Sequence, residues 1–202
     1  MIDFQSCGAN REILSCRDLE VLAEGPAGTG KTLTILNKLV IAAMKYSGMR
    51  AAIVRKTRTS MTQTVLQTLE KKVLPPNVKL HTTRQSYTFP NGSEIVIGGM
   101  DKPDKILSSE YDMIFPNEAT ELSIVDYETL LTRLRHGVMP YQQIIPDCNP
   151  GPKTHWLNER AQTSQMTRIK TTHKDNPHLW NGHSWTEAGV QYLSILKNNQ
   201  RS

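Results

Sequence analysis

The sequence predicts an α/β fold in which a mainly parallel central sheet is flanked by helices, with a small C-terminal lid or linker segment. Short apolar, β-rich runs alternate with helical patterns along most of the 202 residues, an order typical of α/β proteins. A glycine-rich turn joins the first such run to the first helix, and no internal repeat interrupts the alternation. The length suits one domain, which we divide into a core, 1–151, and a lid or linker segment, 152–202.

The first half of the chain is predicted to form a strand, a helix, a strand and a helix, over residues 19–25, 31–48, 50–56 and 59–76. Gly48 marks the end of the first helix, as glycine commonly does. Pro75 stops the second helix because proline lacks the N–H that would continue its hydrogen bonds.

The second half is predicted to add a hairpin, two strands and the helix between those strands, over residues 86–99, 111–115, 141–147 and 126–135. In the hairpin, Asn91 and Gly92 separate two β-rich runs. One face of the helix is predicted to carry Tyr127, Leu130, Leu131 and Leu134. Arg133 is expected to point away from this face, with Arg135 at its edge.

Composition limits the class of protein only loosely. With 24 Lys and Arg against 19 Asp and Glu, the formal net charge is +5, which suits a polyanionic partner but equally an inert basic surface. Cys7, Cys16 and Cys148 include no C-x-x-C pair, which favours a reducing, cytosolic setting. The longest apolar run, 39–44, is far shorter than a bilayer span, so we expect a soluble protein with no membrane association.

The strongest chemical signal is GPAGTGKT, which matches the phosphate-binding P-loop pattern G-x-x-x-x-G-K-[ST] at every fixed position and lies between a predicted strand and helix. Glycines in such a loop let backbone N–H groups surround phosphate oxygens. Lys31 is expected to reach the β and γ phosphates and Thr32 to bind Mg²⁺. The predicted nucleotide-binding residues are Gly25, Pro26, Ala27, Gly28, Thr29, Gly30, Lys31 and Thr32.

A second motif bears on whether a bound nucleotide is hydrolysed. In YDMIFPNEATEL, residues 111–122, Glu118 follows a predicted strand and is the candidate that orients and polarises the attacking water. The position before it usually carries an aspartate that holds the Mg²⁺ shell, but here it is Asn117. Its amide oxygen can accept a hydrogen bond from a metal-bound water without supplying charge. The alternative for Glu118 is an exposed acid at a helix start.

Two further groups of residues can be interpreted either as functional or as purely structural. Arg55, Lys56 and Arg58 follow the second predicted strand, where ligands of open α/β sheets collect, and Arg55 is our candidate for contact with nucleotide or DNA phosphate. The alternative is a solvated cluster whose cations pair with acids elsewhere. For the histidines and tryptophans of the C-terminal quarter, packing is the better interpretation, at His155, Trp156, His173, His178, Trp180, His183 and Trp185.

Taken in order, the motifs resemble the large terminase subunits of tailed phages, the ATPases that pump DNA into proheads. The first motif occurs in many NTPases, but the ordered series is specific: GPAGTGKT, AAIVRKTRTSM, NGSEIVIGG, YDMIFPNEATEL, LLTRLRHG, DCNP, THWL, TTHKDNPHL and TEAGVQYLSIL. Asn117 departs from the Asp-Glu pair that is commoner in the family. Length is a second departure, because the family normally continues into a nuclease domain, which we expect to be absent from these residues.

The resemblance implies an ATPase with ATP and Mg²⁺ as cofactors that moves double-stranded DNA into a prohead. It implies the portal or prohead and the terminase small subunit as partners in the host cytoplasm, and a homo-oligomeric ring when docked but a monomer in isolation. Two other functions stay open at this point. One is another nucleic-acid-acting P-loop ATPase, helicase-like or PhoH-like; the other is a nucleotide-gated binding module without turnover, which Asn117 would suit.

The resemblance also implies roles for residues outside the first two motifs. Asp147 and Asn149 of DCNP would sense the γ phosphate and couple it to movement, and a turn without chemistry is the alternative. ATPases of this type often need a cation from a neighbouring subunit to stabilise the charge on the leaving phosphate. Lys105, Arg133 and Arg135 are the candidates, and spacing does not choose between them.

Overall fold

The computed structural model describes residues 5–61 and 64–199, and within them a twisted sheet lies between helices. The strands are β1 (Val21–Glu24), β2 (Arg50–Arg55), β3 (Lys79–His81), β4 (Ser86–Thr88), β5 (Glu94–Gly99), β6 (Met113–Pro116), β7 (Gln143–Ile144), β8 (Asp147–Cys148) and β9 (Thr167–Lys170). The α-helices are α1 (Gly8–Ser15), α2 (Lys31–Lys45), α3 (Val65–Thr68), α4 (Asp104–Leu107), α5 (Ile124–Leu131), α6 (Trp156–Arg160) and α7 (Glu187–Asn199).

The strand order is β3-β4-β5-β2-β6-β7 in one ladder and β8-β1-β9 in the other, and β4 is antiparallel to both its neighbours. A parallel bridge between Glu20 and Ile144 joins the two ladders. β7 and β8 are halves of one extended segment, interrupted near Pro146, which has no N–H to donate to a ladder. This segment therefore lies between β1 and β6. The predicted α/β fold with a mainly parallel sheet is confirmed.

The core occupies both faces of the sheet, because successive side chains of a buried strand point to opposite sides. Ala51 and Ile53 of β2 pack with Leu36 and Leu39 of α2 on one face. Val54 of the same strand belongs to the cluster on the other face, where Tyr127 and Leu130 of α5 are buried. Each fully buried aliphatic side chain of this kind stabilises the fold by about 1.5–3 kcal/mol.

The hairpin forms as predicted, with Thr88 of β4 opposite Glu94 of β5. Phe89 N–H donates to Ser93 O at 2.9 Å, which leaves a three-residue loop closed by Gly92 with φ of 82°. The predicted lid or linker segment also contributes to the sheet, since β9 pairs with β1 from Val21 to Glu24. The sheet thus extends past residue 151.

Two predicted helices differ from the structure. The described part of 59–76 is an irregular series: a 3-10 turn at Arg58–Met61, then α3, then a π-helical turn at Leu69–Val73. Its threonine hydroxyls bond back to carbonyls four residues earlier, at Thr64 and Thr68, and such bonds disturb a helix. The helix expected over 126–135 ends at Leu131, so Arg133 and Arg135 follow it. No helix in the described part of the chain is long and apolar enough to cross a membrane.

Candidate active site

The P-loop connects β1 to α2, with Gly30 at the N-cap of that helix. Gly28 and Gly30 have φ of 83° and 89°, in the left-handed region that glycine enters without strain. At Gly25 the constraint is space, since a Cβ there would lie 2.1 Å from Thr171 Oγ1. The local fold therefore requires the glycines that the pattern specifies.

Lys31 and Thr32 connect this loop to β8 and the residues after it. The buried Lys31 ammonium donates to Pro26 O at 3.3 Å and to Asn149 Oδ1 at 3.1 Å. The Thr32 hydroxyl donates to Asp147 Oδ2 at 2.5 Å. Both predicted sensor residues are thus in direct contact with the P-loop.

Asp147 is fully buried and also binds the end of β6. Its Oδ1 accepts from the Asn117 amide nitrogen at 2.9 Å and from the Glu118 backbone N–H at 2.8 Å. Burial raises the pKa of Asp147, while the bond from Thr32 opposes that rise. Asn117 is 2% exposed, and its Oδ1 has no hydrogen-bond partner among residues 5–61 and 64–199. Such an orphaned buried oxygen calls for a ligand or water.

Glu118 combines backbone strain with an unusual carboxylate. Its φ of 51° and ψ of 55° place a non-glycine residue in the left-handed region, where strain is associated with functional sites. Burial, and next the negative charge of Asp147, raise the pKa of Glu118, against the effect of Lys31. Glu118, Thr32, Asn117 and Arg55 line a cavity of about 570 Å³, a size typical of small-molecule sites.

Arg55 and Lys56 both pair with acids of the segment after β6. The Arg55 guanidinium binds Glu121 through two bonds of 2.9 and 2.7 Å, and the bond to Glu121 raises its pKa. Lys56 pairs with Asp126 at 2.9 Å. This pairing agrees with the structural alternative for Lys56, whereas Arg55 also lines the cavity beside Glu118.

The three candidates for the trans-acting cation, called the finger below, make different contacts. Lys105 Nζ donates to the carbonyls of Arg84, Gln85 and Ile97, and burial lowers its pKa. The Arg133 guanidinium donates to Leu107 O at 3.1 Å. Arg135 pairs with Glu110 at 2.8 Å and its side chain is 60% exposed.

The two arginines lie near the first residue of β6, at the opposite end of the strand from Glu118. Tyr111, just before that strand, donates its N–H to Arg133 O at 2.8 Å. The described residues that line the cavity beside Glu118 include neither of these arginines.

Sequence reasoning missed a set of contacts from the C-terminal segment to the P-loop carbonyls. Tyr192 of α7 donates to Ala27 O at 3.0 Å, and Asn176 donates to Gly28 O at 2.7 Å. His173, interpreted from the sequence as packing, lies with Nε2 3.0 Å from Ala27 O. The motif TTHKDNPHL was the available signal, but nothing in it indicates a partner far along the chain.

The tryptophans of this segment do pack against other rings and carbonyls. Trp180 and Trp185 make an edge contact with ring centroids 5.0 Å apart. Trp156 donates to Leu122 O at 2.8 Å, and its ring lies 5.1 Å from that of Tyr127. No group of three or more His, Cys, Asp or Glu suited to a metal ion occurs in the described ranges.

Together, the loop between strand and helix, the strand-end glutamate and the intervening β8 define a P-loop NTPase fold. A family model of the phage terminase large subunit matches residues 17–191, and the chain belongs to that family. No match to a curated protein was found.

Solved structures of the same kind share the fold. The large terminase of a thermophilic bacteriophage aligns with a TM-score of 0.73 at 16% identity, over 94% of this chain and 50% of that one. The complex of that terminase with ATP-gamma-S aligns with a TM-score of 0.68 at 15% identity, over 94% and 49%. The ATPase domain of the Thermus phage P74-26 large terminase aligns with a TM-score of 0.66 at 15% identity, over 84% and 82%. The chain spans about half the length of the first of these terminases.

Proposed function

We propose that this chain is the Mg²⁺-dependent ATPase part of a DNA-packaging motor, which hydrolyses ATP to move double-stranded DNA into a phage prohead in the host cytoplasm. Membership of the phage terminase large subunit family supports this proposal. The proposed partners are the portal or prohead, the terminase small subunit and further copies of the chain in a docked ring. DNA cleavage is no part of the activity proposed for these residues.

The observation that carries the proposal is the convergence of three strand ends on one site. β1 leads to Lys31 and Thr32, β6 ends before Glu118, and β8 begins with Asp147, which binds Thr32 and the Glu118 N–H. Ligands of open α/β sheets bind at this carboxyl edge, especially where the chain order reverses. Phosphate binding and water activation are thus assigned to neighbouring groups.

In the proposed reaction the loop binds the phosphates through its N–H groups and Lys31 neutralises their charge. Glu118 orients the attacking water and accepts its proton, and burial, which raises the pKa of Glu118, favours that role. Thr32, and Asn117 through a bound water, offer the oxygen atoms that Mg²⁺ prefers, and the orphaned Asn117 Oδ1 fits such a site. Bound Mg²⁺ would stabilise charge on the phosphate oxygens.

Coupling to movement is proposed through Asn149. Its Oδ1 accepts from Lys31, the same ammonium that is expected to bind the γ phosphate. We propose that phosphate draws the Lys31 ammonium away from Asn149, so that the loop after β8 loses this bond when ATP binds and regains it after phosphate leaves. Arg55 is proposed as a cation of the cavity wall. A bound phosphate would weaken the pairing of Arg55 with Glu121.

The trans-acting finger is proposed among Lys105, Arg133 and Arg135, with Arg135 favoured. A finger must leave its own subunit's contacts to enter the neighbour's site. Arg135 gives up one exposed ion pair, which is worth about 0–1 kcal/mol. Lys105 would give up bonds to three carbonyls.

A phosphate-release assay tests the proposal against its two rivals. We expect Mg²⁺-dependent release by the chain that rises with purified prohead and DNA and not with RNA. Stimulation by RNA alone would favour a helicase-like ATPase. Nucleotide binding without release under either condition would favour a binding module.

A further inference from the structure

Asp147 is a fully buried carboxylate that binds three parts of the candidate site at once. Thr32 donates to its Oδ2 at 2.5 Å, while the Asn117 amide and the Glu118 N–H donate to its Oδ1 at 2.9 and 2.8 Å. These donors belong to the segments assigned to cation binding and water orientation. Asp147 therefore lies at the centre of the site and not at its margin.

The contact with Asn117 disfavours a second ionised acid at that position. Asn117 uses its amide nitrogen as a donor to Asp147, which a carboxylate cannot do. An aspartate at 117 would place two carboxylates face to face, and like charges this close do not both ionise. The arrangement accommodates one acid, and in this chain that acid is on β8.

The contact with Thr32 prepares that residue for a cation. A hydroxyl that donates its only hydrogen to a carboxylate leaves its lone pairs free for a cation on the other side. Asp147 Oδ2 retains one unused acceptor site, to which a metal-bound water could donate, since each carboxylate oxygen has about two such sites. The unpartnered Oδ1 of Asn117 adds a third oxygen.

We infer that Asp147 is the acid of the divalent-cation site and that Asn117 is the positioning residue that holds it, so that the acid usual at position 117 has exchanged its place for one on β8, with an amide left at 117. This inference rests on the function proposed above. It assigns Asp147 to the cation and leaves Asn149, bound to Lys31, as the phosphate sensor.

The test is a titration of the full chain with Mn²⁺ in saturating ADP. Electron paramagnetic resonance measures the concentration of free Mn²⁺ at each step. Asp147→Asn should weaken Mn²⁺ binding about 10- to 100-fold, the usual loss when a group that orients a metal ligand is removed. ADP affinity in the absence of metal should be unchanged. Asn117→Asp should bind Mn²⁺ no more tightly than the wild type.

The double variant Asn117→Asp with Asp147→Asn is the sharpest arm of the experiment. It restores the bond between positions 117 and 147 with its direction reversed, although the Glu118 N–H then faces an amide nitrogen, so Mn²⁺ affinity should recover part of the loss seen in Asp147→Asn. A purely structural Asp147 would not be rescued in Mn²⁺ affinity by an acid on the neighbouring strand.

Asp112 provides a matched control for the loss of a buried acid. It is also fully buried, and it accepts from the N–H groups of Arg50, Val138 and Met139 at the other end of β6. Asp112→Asn should lower the melting temperature and leave Mn²⁺ affinity unchanged.

Wild-type Mn²⁺ affinity in Asp147→Asn, or tighter binding by Asn117→Asp, would overturn the inference and leave the proposed ATPase standing. If the wild type itself showed no Mn²⁺-dependent ADP binding, both would fail. Should Asp147→Asn not bind ADP at all, the double variant decides: recovery of Mn²⁺ binding supports the exchange and its absence contradicts it.

Discussion

The backbone N–H of Glu118 donates a hydrogen bond of 2.8 Å to the buried carboxylate of Asp147. Glu118 has φ of 51°, a conformation that costs a non-glycine residue about 1–2 kcal/mol. Bonds to a charged acceptor are roughly twice as strong as neutral ones, so this bond helps to offset the strain. The consequence is a glutamate held at the end of β6 where it lines the cavity.

Glycine at this position should be more stable than alanine, because it enters the left-handed region without a Cβ penalty. We expect the free energy of unfolding of Glu118→Gly to exceed that of Glu118→Ala by about 1 kcal/mol, in denaturant titrations of both variants. Both variants lack the carboxylate, so the comparison isolates the backbone. A Gly variant equal to or weaker than Ala would mean that residue 118 is not left-handed.

The buried Lys38 should make the free energy of unfolding depend on pH. It is 4% exposed, donates to Ile13 O at 2.9 Å and to Cys16 O, and burial lowers its pKa to about 8. The unfolded value is near 10.4, so between about pH 8 and 10.4 the unfolded chain binds more protons and stability from this group rises with pH.

Relative to Lys38→Met, which has no group titrating in this range, the wild type should therefore gain free energy of unfolding as the pH rises through that window. Urea titrations at several pH values measure the difference. A gap that stays constant, or narrows, would contradict the lowered pKa.

Tyr192 should contribute to nucleotide binding without contacting the ligand, because its hydroxyl holds Ala27 O of the P-loop. A net hydrogen bond is worth about 0.5–1.5 kcal/mol, so Tyr192→Phe should weaken ADP binding by about 2- to 10-fold. Calorimetric titration measures this change. Tyr141→Phe, on a residue that packs against Arg17, is the matched control and should bind ADP as the wild type does. Unchanged affinity in Tyr192→Phe would mean that the Tyr192 hydroxyl does not help to position the loop.

A trans-acting finger predicts complementation in a docked ring. Arg135→Ala should lower the prohead-stimulated rate by about 10³-fold, the usual contribution of such a cation. Mixed with Glu118→Gln subunits it should regain part of that rate, because each subunit supplies what the other lacks. Lys79→Ala, on the exposed edge strand β3, should leave the rate unchanged. If only Lys105→Ala or Arg133→Ala mixtures recover, the finger is that residue.

Much of the site follows from local sequence, because each motif is continuous and sits on a simple strand–turn–helix pattern. The P-loop, β6 and the Asn91-Gly92 hairpin could be predicted in this way. The irregular segment after β2 could not, since its helical pattern hides threonines that bond to the backbone.

The hydrogen-bond partners of Asn117 and Tyr192 could not be predicted from sequence patterns. Asp147 is 30 residues from Asn117 in sequence, and Ala27 is 165 residues from Tyr192. Periodicity predicts which face of an element is apolar, but not which polar groups meet when distant elements pack. The role of an amide at 117 depends on such a meeting.

The central claim is that this chain hydrolyses ATP through Glu118, and a comparison of Glu118→Gln with the wild type tests it most directly. Hydrolysis and ATP affinity are measured on the same preparations with Mg²⁺, with Lys31→Ala as the variant expected to lose binding. The account predicts that Glu118→Gln keeps ATP affinity close to that of the wild type and releases no phosphate, because the amide fits the space but cannot accept the water's proton. Phosphate release by Glu118→Gln at the wild-type rate would contradict it.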